Sequence, residues 1–147
     1  MFDTPAAQIG AVFVCAVCLF AFWQGDEPER FGASAYLLGW FASLLLQRDG
    51  ELYAAQWALV AIDIVMFLVL VGLLWKCRRS WPAWAAGFQL LSIMSHLVTQ
   101  VDDRPSARAF LTIVNLSAYG VLVALAIGTF WAWQEREAAH RSQSWDS

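Results

Sequence analysis

One acidic residue has to be explained by any reading of this chain. Asp63 stands inside a long apolar run, residues 53–75, about ten residues from either end of it. An ionised carboxylate near the centre of a bilayer costs at least about 2.5–3.5 kcal/mol on insertion scales, so it requires a partner or a use. Gln56 lies seven residues earlier and shares its helix face. A later apolar run carries Gln89, Ser92, His96 and Thr99 at i, i+3, i+7 and i+10, all on one side of a helix. The last run carries Thr112, Asn115 and Tyr119 at i, i+3 and i+7. The economical arrangement turns these three polar seams toward one another. Gln89 and Ser92 then lie level with Asp63, Asn115 somewhat outward of it, and His96 nearer the outer surface.

Such a constellation can do one of three things. It can fix helix packing through interhelical hydrogen bonds, each worth about 0.6 kcal/mol in membranes. It can carry protons or a polar solute, because ionisable residues inside membranes mark such paths; His96 is the natural entry point. Or it can meet a partner protein or a cofactor. Below Asp63 the run Ile64 to Val71 has no polar residue, so a single chain offers at most a half-channel.

Other chemistries lack their residues. Only His96 lies within a span, and His140 is near the C-terminus, so a haem held by two histidines would need two chains. Cys15 and Cys18 have redox-pair spacing but sit in mid-run, away from the helix start that such a pair requires. The single lysine, Lys76, is in a loop, which disfavours retinal. There is no nucleophile elbow, no zinc-ligand pair and no phosphate-binding glycine loop. Ser92 and His96 at i, i+4 lack an orienting third group and an oxyanion donor. The expectation is a non-enzyme with no cofactor and no metal.

The elements that must position these residues are read from hydropathy. Hydrophobic residues make up 60% of the 147 and charged residues 14%, where soluble domains carry about 25% charged. That gap indicates a membrane protein. Nine tryptophans lie mostly near the ends of the apolar runs, where amphipathic rings meet headgroups. A bilayer core about 30 Å thick needs about 20 apolar residues per helix. Five segments fit or nearly fit: 6–23, 31–46, 53–75, 81–99 and 107–133. The fold expected is an all-α, polytopic transmembrane bundle of five spans in one domain, 1–133, with a short cytoplasmic tail, 134–147. Because the second segment is the shortest, the alternative is four spans plus one re-entrant or interfacial segment. The start reads as a retained helix, since Met1 to Gln8 has Asp3 and no basic residue.

Basic residues set the orientation. With the Lys76, Arg78, Arg79 loop inside, Arg30, Arg136 and Arg141 join it, and only Arg48, Arg104 and Arg108 remain outside. The N-terminus is then outside and the C-terminus cytoplasmic. A net charge of -3 spread over short loops gives no surface for nucleic acid.

Small residues mark where helices approach closely in lipid. Gly120, Ala124 and Gly128 form one ridge, and Ala35, Gly39 and Ser43 another. Each can pack within the chain or face a partner subunit. No internal repeat is visible, and an odd span count disfavours an inverted-repeat transporter.

The stretch Trp81-Pro82-Ala83-Trp84-Ala85-Ala86-Gly87-Phe88-Gln89-Leu90-Leu91, followed by His96-Leu97, resembles a passage in small uncharacterised multi-span bacterial membrane proteins. Pro28-Glu29-Arg30 and Asp63 fit that company, and the resemblance extends from Phe20 to about Trp131. It implies a bacterial inner-membrane setting and brings no activity with it. The function expected first is a non-catalytic accessory or scaffold subunit that packs against other membrane proteins or itself. A small channel or transporter component built on the Asp63 seam is the alternative, and a cofactor-binding electron-transfer subunit the third.

Overall fold

The structure, a computed structural model, describes residues 5–46, 52–101 and 107–143. Among them there is no strand, and five helices follow in order. They are α1 (Pro5–Gln24), α2 (Glu27–Leu46), α3 (Leu52–Lys76), α4 (Trp81–Val101) and α5 (Ala107–Gln143).

Local chemistry sets the boundaries. Residues 24–30, which read as a loop from sequence, narrow to Gly25-Asp26. Asp26 is the N-cap of α2, and the Glu29 carboxylate reaches back to accept from the Asp26 N–H at 3.0 Å, the returning half of a capping box. Pro28 sits in that first turn, where its missing N–H costs nothing. The second segment is thus a full 20-residue helix, the same length as α1. Ser80-Trp81-Pro82 opens α4 in a similar way, with the Ala83 N–H donating to the Ser80 carbonyl at 3.1 Å. At the other end of the chain, α5 does not stop at 133 but continues to Gln143, because Gln134-Glu135-Arg136-Glu137-Ala138-Ala139 are all good helix formers.

Two helices, α3 and α5, contain stretches long and apolar enough to cross a membrane: the most apolar 18-residue windows within Trp57–Lys76 and Arg108–Arg141 have mean hydropathies of 2.7 and 2.1. Gln8–Gln24 is a shorter apolar helix. In α2 and α4, polar residues lower the hydropathy: Glu27, Glu29 and Arg30 in the first, Gln89, Ser92 and His96 in the second.

The helices form a ring. Each packs on its neighbours in sequence, α5 closes onto α1, and α2 also reaches α5 across the centre. Helix α3 touches α2 and α4 but not α5. The core is built from small and branched residues such as Val14, Ala33, Leu70, Ala85, Leu122 and Leu125.

Trp81 is the largest of these core residues, and it is 2% exposed. Its ring fills a slot between α2 and α5 that exists only because both walls are glycine. A Cβ at Gly128 would lie 2.3 Å from the indole Cδ1, and one at Gly32 would lie 2.7 Å from Cη2. One turn pair further along, Gly120 receives Phe88, whose ring lies 2.5 Å from where a Cβ would be. With Ala124 buried between them, the α5 ridge is taken up inside the chain by α4. The α2 ridge meets α3 more loosely. A Cβ added at Gly39 would meet Ile62 and Met66 at an ordinary 3.5 Å, Ala35 is half-buried, and the Ser43 hydroxyl donates to its own helix at Gly39 O, 2.9 Å away.

Gly128→Leu should therefore force Trp81 out of its slot and destabilise the bundle by about 1–3 kcal/mol or more, the usual cost of overpacking. Gly72→Ala, where a Cβ meets nothing within 4 Å, should leave stability unchanged or raise it by about 0.5–1 kcal/mol. Thermal unfolding in detergent would compare the two. Equal midpoints would show that the slot is not a constraint.

Candidate functional site

Antiparallel packing of α3 on α4 brings Asp63 against the α4 seam. The Gln89 amide Nε2 donates to Asp63 Oδ1 at 2.7 Å, and the Ser92 hydroxyl donates to Oδ2 at 2.9 Å. His96 Nε2 lies 3.4 Å from the same Oδ2. Both carboxylate oxygens are thus engaged, and every donor comes from one neighbouring helix. Gln89, Ser92 and His96 are all buried, while the Asp63 side chain is 21% exposed.

His96 lies against Asp63 instead of standing apart near the outer end. One more helical turn beyond Ser92 keeps it on the same face, and its ring packs edge-on to Phe110 of α5 at 5.1 Å. Thr99 donates to the His96 carbonyl at 2.8 Å. Among the described residues the buried Nδ1 atom of His96 has no hydrogen-bond partner, and neither has the buried Ser117 hydroxyl on α5. Contacts between Gly120 and Phe88, and between Gly128 and Trp81, set an antiparallel register. That register places Ser117 at the level of Ser92.

The third seam is not part of this site. Asn115 and Thr112 are exposed and Tyr119 is 40% exposed. The Thr112 hydroxyl donates to its own helix at Arg108 O, 2.8 Å away, and Tyr119 packs on Phe13 of α1 with ring centres 5.9 Å apart. The reason is rotational. At about 100° per residue, Asn115 lies some 140–180° from Gly120, Ala124 and Gly128. Once that ridge faces α4, Asn115 has to face outward. The Gln56 side chain lies outside the described residues.

Chemically, the Asp63 cluster is a carboxylate–imidazole pair with two neutral donors. It can hold a proton between two groups and can lock α3 to α4. The Ser92 hydroxyl donates to Asp63 and not to the His96 ring. Among the described residues no group of three or more His, Cys, Asp or Glu converges on a metal position. Cys15 is exposed and Cys18 buried, both free, and the Cys18 thiol faces the Ala33 carbonyl at 3.9 Å.

A second polar cluster, at the opposite end of the bundle, was missed from sequence. Glu29 is completely buried. Its Oε1 accepts from the Trp81 indole N–H at 2.9 Å, with Arg79 Nη1 3.6 Å away. Arg79 also pairs with Asp26 at 2.7 Å and Glu135 at 3.3 Å. Arg136 approaches Asp26 at 3.6 Å and donates to the Gln24 carbonyl. The α3–α4 loop and the α5 extension are thereby tied to the start of α2. Asp26 and Glu29, three apart ahead of an apolar run, were the available signal.

Comparison with known protein families, with curated proteins and with solved structures finds no match to this chain. The site must be judged on its geometry.

Replacing Asp63 separates its two possible roles. Asp63→Asn keeps both a donor and an acceptor, and Gln89 and Ser92 can each reverse their hydrogen bonds, so stability should change little. Asp63→Leu strands these buried groups at about 1–3 kcal/mol each. If the Leu variant melts with the parent in detergent, the cluster does not hold the helices together.

Proposed function

We propose that the chain is a five-span protein of the bacterial inner membrane, N-terminus outside, acting as a non-catalytic accessory or scaffold subunit. Its partner is another membrane protein or a second copy of itself. The two long apolar helices support the spanning reading, as does the ring that lays the other three helices alongside them. The orientation is supported by the gathering of Arg30, Lys76, Arg78, Arg79, Arg136 and Arg141 toward one end.

Asn115 carries the proposal. Its side chain is exposed and makes no hydrogen bond among the described residues. The α4–α5 register sets it within a turn of Ser92, at the depth of Asp63. An amide turned outward at that depth faces hydrocarbon, which offers it nothing, whereas a neighbouring helix can satisfy it. Thr112 and Tyr119 extend the same seam. In native membranes, Asn115→Cys should cross-link to a defined neighbour, and Asn115→Leu should weaken that association roughly threefold to twentyfold, the range for one interhelical hydrogen bond. A cysteine there that reacts only with lipid-phase reagents, and an Asn115→Leu variant that associates like the parent, would falsify the proposal.

One observation favours the transporter-component reading as second. Buried polar atoms without partners call for water, and among the described residues His96 Nδ1, on the ring that meets Asp63, and Ser117 Oγ, on α5 at the level of Ser92, are two such atoms. Between Asp63 and Lys76, α3 offers no polar side chain, so a path from the outer half ends there. Proteoliposomes of this protein alone should show no proton leak above empty vesicles under an imposed gradient. A leak that Asp63→Asn abolishes would move transport to first place.

A further inference from the structure

A groove of about 490 Å³ runs between α2 and α3, on the side of the ring away from α5. It extends along α2 from Phe31 to Ala42 and along α3 from Ala61 to Val69. Eleven helical steps make it about 16 Å long, roughly half of a hydrocarbon core about 30 Å thick. It is therefore as long as one leaflet is deep. Its lining offers no free donor, because the Ser34 hydroxyl is spent on Arg30 O at 2.9 Å. The occupant must be apolar along this length.

The end of the groove is different. Arg30 precedes Ser34 by one turn on the same row of α2, and Lys76 continues the row Val65, Val69, Gly72 on α3. A Cβ at Gly72 would meet nothing, so the row is open toward Lys76. The contact of Gly39 with Ile62 and Met66 sets Arg30 level with about residue 73, one turn from Lys76. Arg79, Arg136 and Arg141 all pair with carboxylates. Among the described residues Arg30 and Lys76 do not; Arg30 donates only its Nε–H, to the Gly25 carbonyl at 3.0 Å. Glu27 opens instead onto a polar cleft that it shares with Arg78.

We infer that the groove holds one acyl chain of an anionic phospholipid of the cytoplasmic leaflet, with the headgroup phosphate between Arg30 and Lys76. The length, the apolar lining and the two uncompensated cations at one mouth fit that single occupant. A partner helix would leave the charges unused. The inference rests on the spanning reading, and not on the partner-subunit role of α5.

The test is native mass spectrometry of the full chain, released from micelles after incubation with equal phosphatidylglycerol and phosphatidylcholine of the same acyl chains. The parent should retain the anionic lipid preferentially. Arg30→Ala with Lys76→Ala should bring retention toward parity, at about fivefold per basic residue. Ala35→Phe, which fills the groove, should lower retention of both lipids; Ala42→Phe serves if that variant does not fold. Equal retention of the two lipids by the parent overturns the inference, as does a preference that survives loss of both charges. So does a polypeptide adduct released by Ala35→Phe, which would assign the groove to a helix. Carbonate extraction of the membranes beforehand separates the two readings. Release of the chain by carbonate sinks the spanning reading, whereas an embedded chain without lipid preference sinks only the site.

Discussion

The approach of α4 to α5 along Gly120, Ala124 and Gly128 is the constraint on which the rest of this bundle depends. Two aromatic rings, Phe88 and Trp81, occupy the space that side chains at Gly120 and Gly128 would have filled, and α5 has one rotation that accepts them. That rotation decides which residues of the longest helix face inward. It buries Ser117, Val121 and Leu125, and it turns Asn115 away. The same packing carries Trp81 into reach of Glu29, so a buried carboxylate gains an indole donor. Without the slot, Glu29 would be buried with one donor fewer, at a cost of the order of a lost hydrogen bond to a charged group.

The two inward carboxylates solve the same problem differently. Glu29 is capped by a backbone N–H, an indole N–H and a nearby guanidinium, drawn from three elements. It joins the ends of α2, the α3–α4 loop and α4. Among the described residues Asp63 draws its donors from α4 alone and keeps an imidazole with one nitrogen unsatisfied. The first arrangement leaves nothing to change. The second keeps an imidazole nitrogen in reserve, and it is this difference that lends the Asp63 cluster, and not the more completely buried Glu29, to the secondary reading as part of a transporter.

The number of helices, most of their limits and the α3–α4 pairing were legible because each rests on a local or periodic signal. Seams at i, i+3 and i+7 on adjacent antiparallel helices leave few ways to satisfy Asp63. The α5 seam was misplaced because that helix carries two signals on opposite faces. Tight packing of the glycine ridge outweighs a few hydrogen bonds, each worth about 0.6 kcal/mol. The ring order, in which α3 and α5 never touch, is a tertiary fact with no counterpart in periodicity. The Glu29 cluster was lost when a capped first turn was taken for a loop, since short charged residues around a proline suit both.

The continuation of α5 has a mechanical meaning. At 1.5 Å per residue its 37 residues make a rod of about 55 Å, nearly twice the thickness of a hydrocarbon core. Contacts of Glu135 and Arg136 with Arg79, Asp26 and Gln24 clamp the rod where it leaves the other helices. Beyond the clamp the surface is polar and exposed. Whatever this last stretch touches is held at a fixed standoff and a fixed azimuth relative to the bundle. A torque applied to its tip would reach the glycine ridge without the slack that a flexible tail would introduce.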